Sequence, residues 1–204
     1  MLKLPATLLE FFPQVIQISQ PLNIEELNAD LLAAIDQICQ TTPNSKPHHW
    51  AGNLYTTAHN ENQLMHNPKF KELTKFISKE VQSFAEAHKV EVKNKYNKVL
   101  ISNMWINKYK YKYSMDQHCH PNSIFTGVYF VKAPNGSGLL AFDSPSSEQM
   151  VLPPVKIKTA HNMRQVGFNM SEGDLVIFNS YLKHRVLLHE IKEERISIGF
   201  TCTL

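Results

Sequence analysis

QHCHPN, residues 117–122, places His118 and His120 one residue apart. In an extended strand, positions i and i+2 face the same way, so both imidazoles can converge on one ion. A third imidazole, His184, comes just after the apolar run in GDLVIFNSYLK, which the turn residues Glu172, Gly173 and Asp174 open. Three facing imidazoles with open coordination positions suit a redox metal that must also bind substrate or dioxygen. The competing reading is two histidines in a wet loop and one satisfied in the core. Arg195 lies eleven residues beyond His184, in ERISIGF. Alternation there puts Arg195 and Ser197 on one face and Ile196 and Ile198 on the other. An arginine turned into the mouth of a β-barrel is costly unless it meets an anion, and its planar fork matches a carboxylate. The alternative is an edge arginine paired with Glu193 or Glu194.

The other histidines have plainer readings. His48 and His49 lie in a loop, His59 and His66 flank asparagines, and His161 and His189 occupy polar surroundings. His88 sits near a helix end, where a cation suits the dipole.

The elements that must position these side chains divide the chain in two. NIEELNADLLAAIDQIC carries Ile24, Leu27, Leu31, Ala34, Ile35 and Ile38 at helical spacing, and the spacing predicts a helix over 23–40 with Asn23 and Glu26 as a capping box. Residues 41–68 have no period and read as mostly loop. PKFKELTKFISKEVQSFAEAHK predicts a second amphipathic helix with Phe70, Leu73, Ile77, Val81 and Phe84 on one face. After residue 95, VLISNMWIN, IFTGVYFV, GLLAFDS, DLVIF and RISIGFTCTL are short β-branched and aromatic runs between turns, as in a sandwich or barrel. The expectation is a single α+β, mainly β domain over 1–204, with a helical support region at 1–95 packed on a β-core at 96–204.

Composition narrows the class. A length of 204 residues fits one domain, and 21 Lys plus Arg against 18 Asp plus Glu, a net charge of +3, is too mild to imply nucleic acid. The alternating KYKYKY at 108–113 reads as solvated surface near the mouth of the site; stacking on nucleic acid or docking an acidic peptide are its functional alternatives. Cys39, Cys119 and Cys202 are too few and too scattered for a disulfide framework, which points to a reducing, cytoplasmic setting. MLKLPATLLEFFPQ is broken by Pro5 and Glu10 and lacks the run of a signal peptide, so no membrane association is expected.

Together these segments resemble the Fe(II)/2-oxoglutarate-dependent dioxygenases, in the prolyl-hydroxylase-like branch and its group of oxygenases of uncharacterised substrate. NMWIN, HCHPNSIFTGVYFV, GSGLLAFDSP, GDLVIFNSYLKHRV and ERISIGF follow the family's order across the second half, and EFFPQVIQI resembles that group's start. The resemblance implies a double-stranded β-helix, the jelly-roll of cupins, with two N-terminal helices on its sheet. It implies Fe(II), 2-oxoglutarate and O2 as cofactor and cosubstrates, and succinate and CO2 as products when a small molecule or protein side chain is hydroxylated. His118 and His184 match the family's two histidine ligands, Arg195 the residue that holds the distal carboxylate of 2-oxoglutarate, and Ser197 its supporting hydroxyl. Asn107 and Tyr129 are candidates for cosubstrate contacts. His120 stands where most members have Asp or Glu, giving a catalytic and metal-binding set of His118, His120 and His184 that lacks an anionic ligand. Asp116 is an alternative source of that carboxylate or an acceptor for an imidazole N–H. A three-histidine metalloprotein acting without 2-oxoglutarate and a catalytically silent binding module are the rival readings.

Overall fold

The structure, a computed structural model, describes residues 12–60, 63–146 and 153–204. Residues 1–11, which hold most of MLKLPATLLEFFPQ, lie outside that set. Helix α1 spans Ile24–Thr41 and buries Leu27, Leu31, Ala34 and Ile35. Its first turn follows Asn23, but the Asn23 side chain makes no capping hydrogen bond among the described residues, so the expected capping box is not formed. Helix α2 spans Lys71–Ala87 after a 3-10 turn at Pro68–Phe70. Phe70, Leu73, Ile77, Val81 and Phe84 are each at most 1% exposed, so the predicted stripe is the buried face. His88 follows α2, and its Nδ1–H donates to the Phe84 carbonyl at 2.9 Å, satisfying a last-turn acceptor.

Ten strands follow the chain as β1 Ile16–Ser19, β2 Tyr55–Thr56, β3 Leu100–Tyr109, β4 Met115–His118, β5 Phe125–Lys132, β6 Leu140–Asp143, β7 Gln165–Phe168, β8 Leu175–Asn179, β9 His184–Val186 and β10 Arg195–Thr203. They form two sheets, β1-β8-β5-β10-β3-β2 and β4-β9-β6-β7, with antiparallel pairing throughout. Two of the six strands of the larger sheet, β1 and β2, come from the half read as helical support, and β2 lies inside the stretch read as loop. KYKYKY is also divided. Lys108 and Tyr109 belong to β3; Tyr109 is buried and Lys108 pairs with Glu194 at 3.2 Å, while Lys110, Tyr111 and Lys112 are exposed in the turn beyond.

Each face of the larger sheet has its own core. Met104, Ile106, Phe125, Tyr129, Val131, Leu175, Ile177, Ile196, Ile198, Phe200 and Cys202 meet the two helices. On the other face Phe130, Val176 and Phe178 pack against Leu140 and Phe142 of the smaller sheet. Strands buried on both faces read as continuous apolar runs, which is why LVIF and IFTGVYFV are so apolar. β10 is the exception on the inner face, where Arg195, Ser197, Gly199 and Thr201 look into the space between the sheets. No helix among the described residues is long and apolar enough to cross a membrane.

Candidate functional site

His118 ends β4 and His184 begins β9; the two are direct cross-strand partners. His120 lies just past β4, its main-chain N–H donating to the Ser180 carbonyl at 3.0 Å. The potential ligand atoms of His118, His120 and His184 lie within 4.8 Å of one another, and no carboxylate joins them among the described residues. The Nδ1 of His118 meets the main-chain carbonyl of Asp116 at 2.8 Å, and that of His184 the carbonyl of Leu182 at 2.9 Å. A carbonyl can only accept, so both rings carry their proton on Nδ1 and offer the Nε2 lone pair inward. Burial lowers the pKa of all three imidazoles. His120 falls to about 4 and His184 to about 3, with the neighbouring His118 adding to the burial effect in each. Neutral imidazole is the form that binds a metal, so the site is ready to coordinate at neutral pH.

Deeper between the sheets lies Arg195, 1% exposed, its guanidinium carbon 4.7 Å from the Tyr109 ring centre and 4.9 Å from that of Phe130. Neither terminal nitrogen has a hydrogen-bond partner among the described residues, and the buried hydroxyl of Ser197 is likewise unpartnered. Burial pushes the arginine pKa down; the phenol of Tyr109, close enough to interact with the guanidinium but outside good hydrogen-bond geometry, opposes it. The glutamates that would pair an edge arginine are elsewhere, Glu194 being engaged by Lys108. A buried cation with two free N–H edges beside a free hydroxyl is an anion receptor; bidentate carboxylate is the ligand its fork matches.

Residues 103–201 match the sequence profile of a family described as putative 2OG-Fe(II) oxygenase. Over that match, the β-half of this chain is similar to the 2OG-Fe(II) oxygenases. The matched segment holds the three histidines, Arg195 and Ser197. Solved structures share the fold. A prolyl-4-hydroxylase of Pseudomonas putida aligns with a TM-score of 0.61 at 9% identity, over 93% of this chain and 92% of that one. The collagen prolyl hydroxylase of Paramecium Bursaria Chlorella virus-1, in complex with 2OG, gives 0.55 at 15%, over 92% and 94%. The epimerase SnoN, in complex with Fe3+, alpha ketoglutarate and nogalamycin RO, gives 0.67 at 10%, over 93% and 79%. At these identities the likeness is one of fold. No curated protein matches the chain in sequence.

Within the matched half, the remaining candidates are placed differently from one another. The Asn107 amide is taken up by the protein, its Nδ2 donating to Thr56 Oγ1 at 2.8 Å and its Oδ1 accepting from Trp105 Nε1 at 3.1 Å. Tyr129 is on the helix-facing side of β5, opposite to Phe130 and Arg195, and its hydroxyl donates to Asn28 Oδ1 at 2.8 Å. Strand alternation is the reason: Tyr129 is one residue out of phase with the inner face. Asp116 meets His118 only through its main-chain carbonyl; its carboxylate accepts from the Ala51 and Gly52 amides at 3.0 Å each. His189, assigned to polar surroundings from its neighbours, is fully buried, accepting from the Gly138 N–H and donating to the Glu193 carbonyl.

Two tryptophans lie around these residues, Trp105 beside His120 and Trp50 behind Tyr109. Trp105 projects inward from β3, its ring centre 5.6 Å from that of His120. It lies over Gly199, where a Cβ would come within 2.6 Å of Trp105 Cε2, so only glycine leaves room for the indole. Trp50 packs on a cluster of Leu54, Tyr109 and Val186, behind the ring that faces Arg195. The alternation of Asn103, Trp105 and Asn107 marks Trp105 as inward-facing in the sequence; Trp50 sits in an aperiodic stretch that gives no such cue.

Proposed function

We propose that this chain is an Fe(II)- and 2-oxoglutarate-dependent dioxygenase built on a double-stranded β-helix. His118, His120 and His184 hold the metal, and Arg195 with Ser197 binds the distal carboxylate of 2-oxoglutarate. One observation carries the reading: a fully buried guanidinium with both terminal nitrogens free, on the strand that faces three converging neutral imidazoles. An unpaired buried cation costs several kcal/mol, roughly, and is kept where a ligand completes it. Two anion-seeking groups and a metal-ready cluster in one inter-sheet space match a cosubstrate that has a chelating end and a free carboxylate.

Bound together, Fe(II) and 2-oxoglutarate supply the oxidising power by which O2 hydroxylates a C–H bond while the keto acid becomes succinate and CO2. The residues supply position. The Asp116 and Leu182 carbonyls fix the His118 and His184 rings with Nε2 inward, and Trp105 walls the side of His120 against water. With three neutral ligands, the protein would offset none of the ion's double charge, and the carboxylate at the keto acid end of the cosubstrate would supply the neutralisation while Arg195 takes the other. The substrate is a small molecule or a protein side chain that reaches the exposed rim beside His120.

Loading the protein anaerobically with Fe(II) and 2-oxoglutarate and then admitting air yields succinate even without the prime substrate. Absence of succinate from protein with iron demonstrably bound refutes the reading. His120 in place of a carboxylate favours one alternative, a three-histidine metalloenzyme that does not use 2-oxoglutarate. That alternative requires 2-oxoglutarate to be without effect on the metal-loaded protein.

A further inference from the structure

We propose that Asp116 is a positioning residue whose carboxylate fastens residues 44–57 across the gap between the two sheets, and so holds closed the wall behind Arg195. The inference rests on the reading of Arg195 given above. β2 is one edge of the larger sheet and β4 one edge of the smaller, and the segment running into β2 crosses between them. At the β3 margin it is held by the β2 pairing of Tyr55 with Lys108 and Thr56 with Asn107, and by the Asn107 amide on Thr56 Oγ1. At the β4 margin, one oxygen of Asp116 accepts from both the Ala51 and Gly52 amides at 3.0 Å, and the Ser114 N–H donates to the Asn53 carbonyl at 3.1 Å.

The approach is close. A Cβ at Gly52 would lie 2.6 Å from the Ser114 carbonyl oxygen, so the strap meets β4 where only glycine fits. Between the two margins the strap is internally tied: Asn44 Nδ2 donates to the Leu54 carbonyl at 2.9 Å and Lys46 Nζ to the Trp50 carbonyl at 2.6 Å. It therefore moves as a unit, and Trp50 moves with it. Trp50 and Leu54 pack against Tyr109 and Val186, and the Tyr109 ring faces the Arg195 guanidinium. Freeing the β4 margin takes Trp50 off that cluster and lets water reach the arginine.

Asp116 is thus divided between two tasks. Its main chain orients His118, and no side-chain substitution removes that contact; its side chain holds the strap. The carboxylate should matter to 2-oxoglutarate affinity and not to metal affinity. An amide can replace it, because a single amide oxygen accepts both N–H groups.

The test compares wild type with Asp116→Ala, Asp116→Asn and Gly52→Ala, the last lifting the strap while leaving Asp116 intact. Three quantities are read: amide hydrogen exchange over residues 47–56, Fe(II) affinity measured anaerobically, and 2-oxoglutarate affinity of the Fe(II)-loaded protein. Asp116→Ala and Gly52→Ala are expected to lose exchange protection and to weaken 2-oxoglutarate binding about five- to tenfold, the loss of about 1 kcal/mol or slightly more. Fe(II) affinity stays within about twofold of wild type on the same scale, and Asp116→Asn recovers most of both losses. Unchanged exchange and 2-oxoglutarate binding in Asp116→Ala overturns the proposal, as does loss of Fe(II) from Asp116→Ala and Asp116→Asn alike, which would assign the carboxylate to the metal. Failure of wild type to bind 2-oxoglutarate overturns the cosubstrate reading instead, and with it the affinity effect; the exchange comparison then decides the fastening separately.

Discussion

Replacing Arg195 with methionine separates a receptor from a structural arginine, because the two roles predict opposite signs for stability. The side chain is 1% exposed and its terminal nitrogens are unpartnered, so the folded apo protein holds a desolvated charge offset mainly by the Tyr109 and Phe130 rings. Each ring contact is worth about 0.5 to 2 kcal/mol, below the several kcal/mol, roughly, that burying an unpaired charge costs. Methionine keeps the length and most of the packing and removes the charge. The apo protein should therefore gain about 1 to 3 kcal/mol. For a chain of this size each kcal/mol corresponds to a rise of about 2–4 °C in Tm. Binding moves the other way. Two charge-assisted hydrogen bonds at about 1.5–3 kcal/mol each account for about 3–6 kcal/mol of 2-oxoglutarate affinity. Losing them raises Kd by about two to four powers of ten. Calorimetric titration of metal-loaded protein reads the second effect, and thermal unfolding with and without 2-oxoglutarate reads both. Wild type should be stabilised by the ligand and Arg195→Met should not. A variant that is less stable than wild type and still binds 2-oxoglutarate would refute the receptor assignment.

Three further outcomes follow from the same geometry. His120→Asp adds the anionic ligand that this triad lacks; chelator competition should show metal held about tenfold more tightly or better, with less dependence on added 2-oxoglutarate, whereas in wild type each ligand tightens the other. The metal-free protein should lose stability on acidification. The folded pKa values, about 4 for His120 and about 3 for His184, lie below the usual value near 6.5. The unfolded chain therefore binds protons that the folded one refuses as pH falls below about 6.5, with a slope of up to about 1.4 kcal/mol per pH unit per histidine until the folded pKa is reached. Urea midpoints between pH 7 and pH 4 measure this, and His184→Gln should flatten the profile. Gly199→Ala should cost about 1–3 kcal/mol in chemical denaturation, because its Cβ enters the space of Trp105, and the displaced indole should change its emission.

What the sequence made legible was mainly periodicity. Leu73, Ile77, Val81 and Phe84 announce a buried stripe, and LVIF and SIGF announce strands, because long regular patterns carry their own evidence. The spacing of His118 and His120 and the phase of Arg195 also read directly, since both depend on alternation within a short stretch. Gln165–Phe168 and Ile16–Ser19 are too short to show a period; they are strands because a partner strand pairs with them. His184–Val186 is set apart from the preceding strand by the turn at 180–182, so the third imidazole opens a new element in the smaller sheet. Tyr129 and Asn107 show the limit of reading residue type alone. Both are polar groups near the right strands, but a hydroxyl on the helix side and an amide committed to Thr56 and Trp105 have partners that only the tertiary structure discloses. The strap was least legible of all, because its order comes from Asn44, Asp116 and Asn107 hydrogen bonds to main chain and side chains distant in sequence.

The strand order of the larger sheet has a consequence for how the molecule is made. β10 follows every other strand in the chain yet sits at the sheet's interior, between β5 and β3. As the polypeptide leaves the ribosome, β3 and β5 must wait for it with backbone edges unpaired and apolar faces open, the circumstance in which nascent chains recruit chaperones or aggregate. The same strand carries Arg195 and Ser197, so the cation is desolvated only in the step that closes the sheet. A partly folded chain, or one that ends before that strand, would keep its three histidines and still lack Arg195 and Ser197; collecting a metal ion can therefore precede completion of the cosubstrate site proposed above.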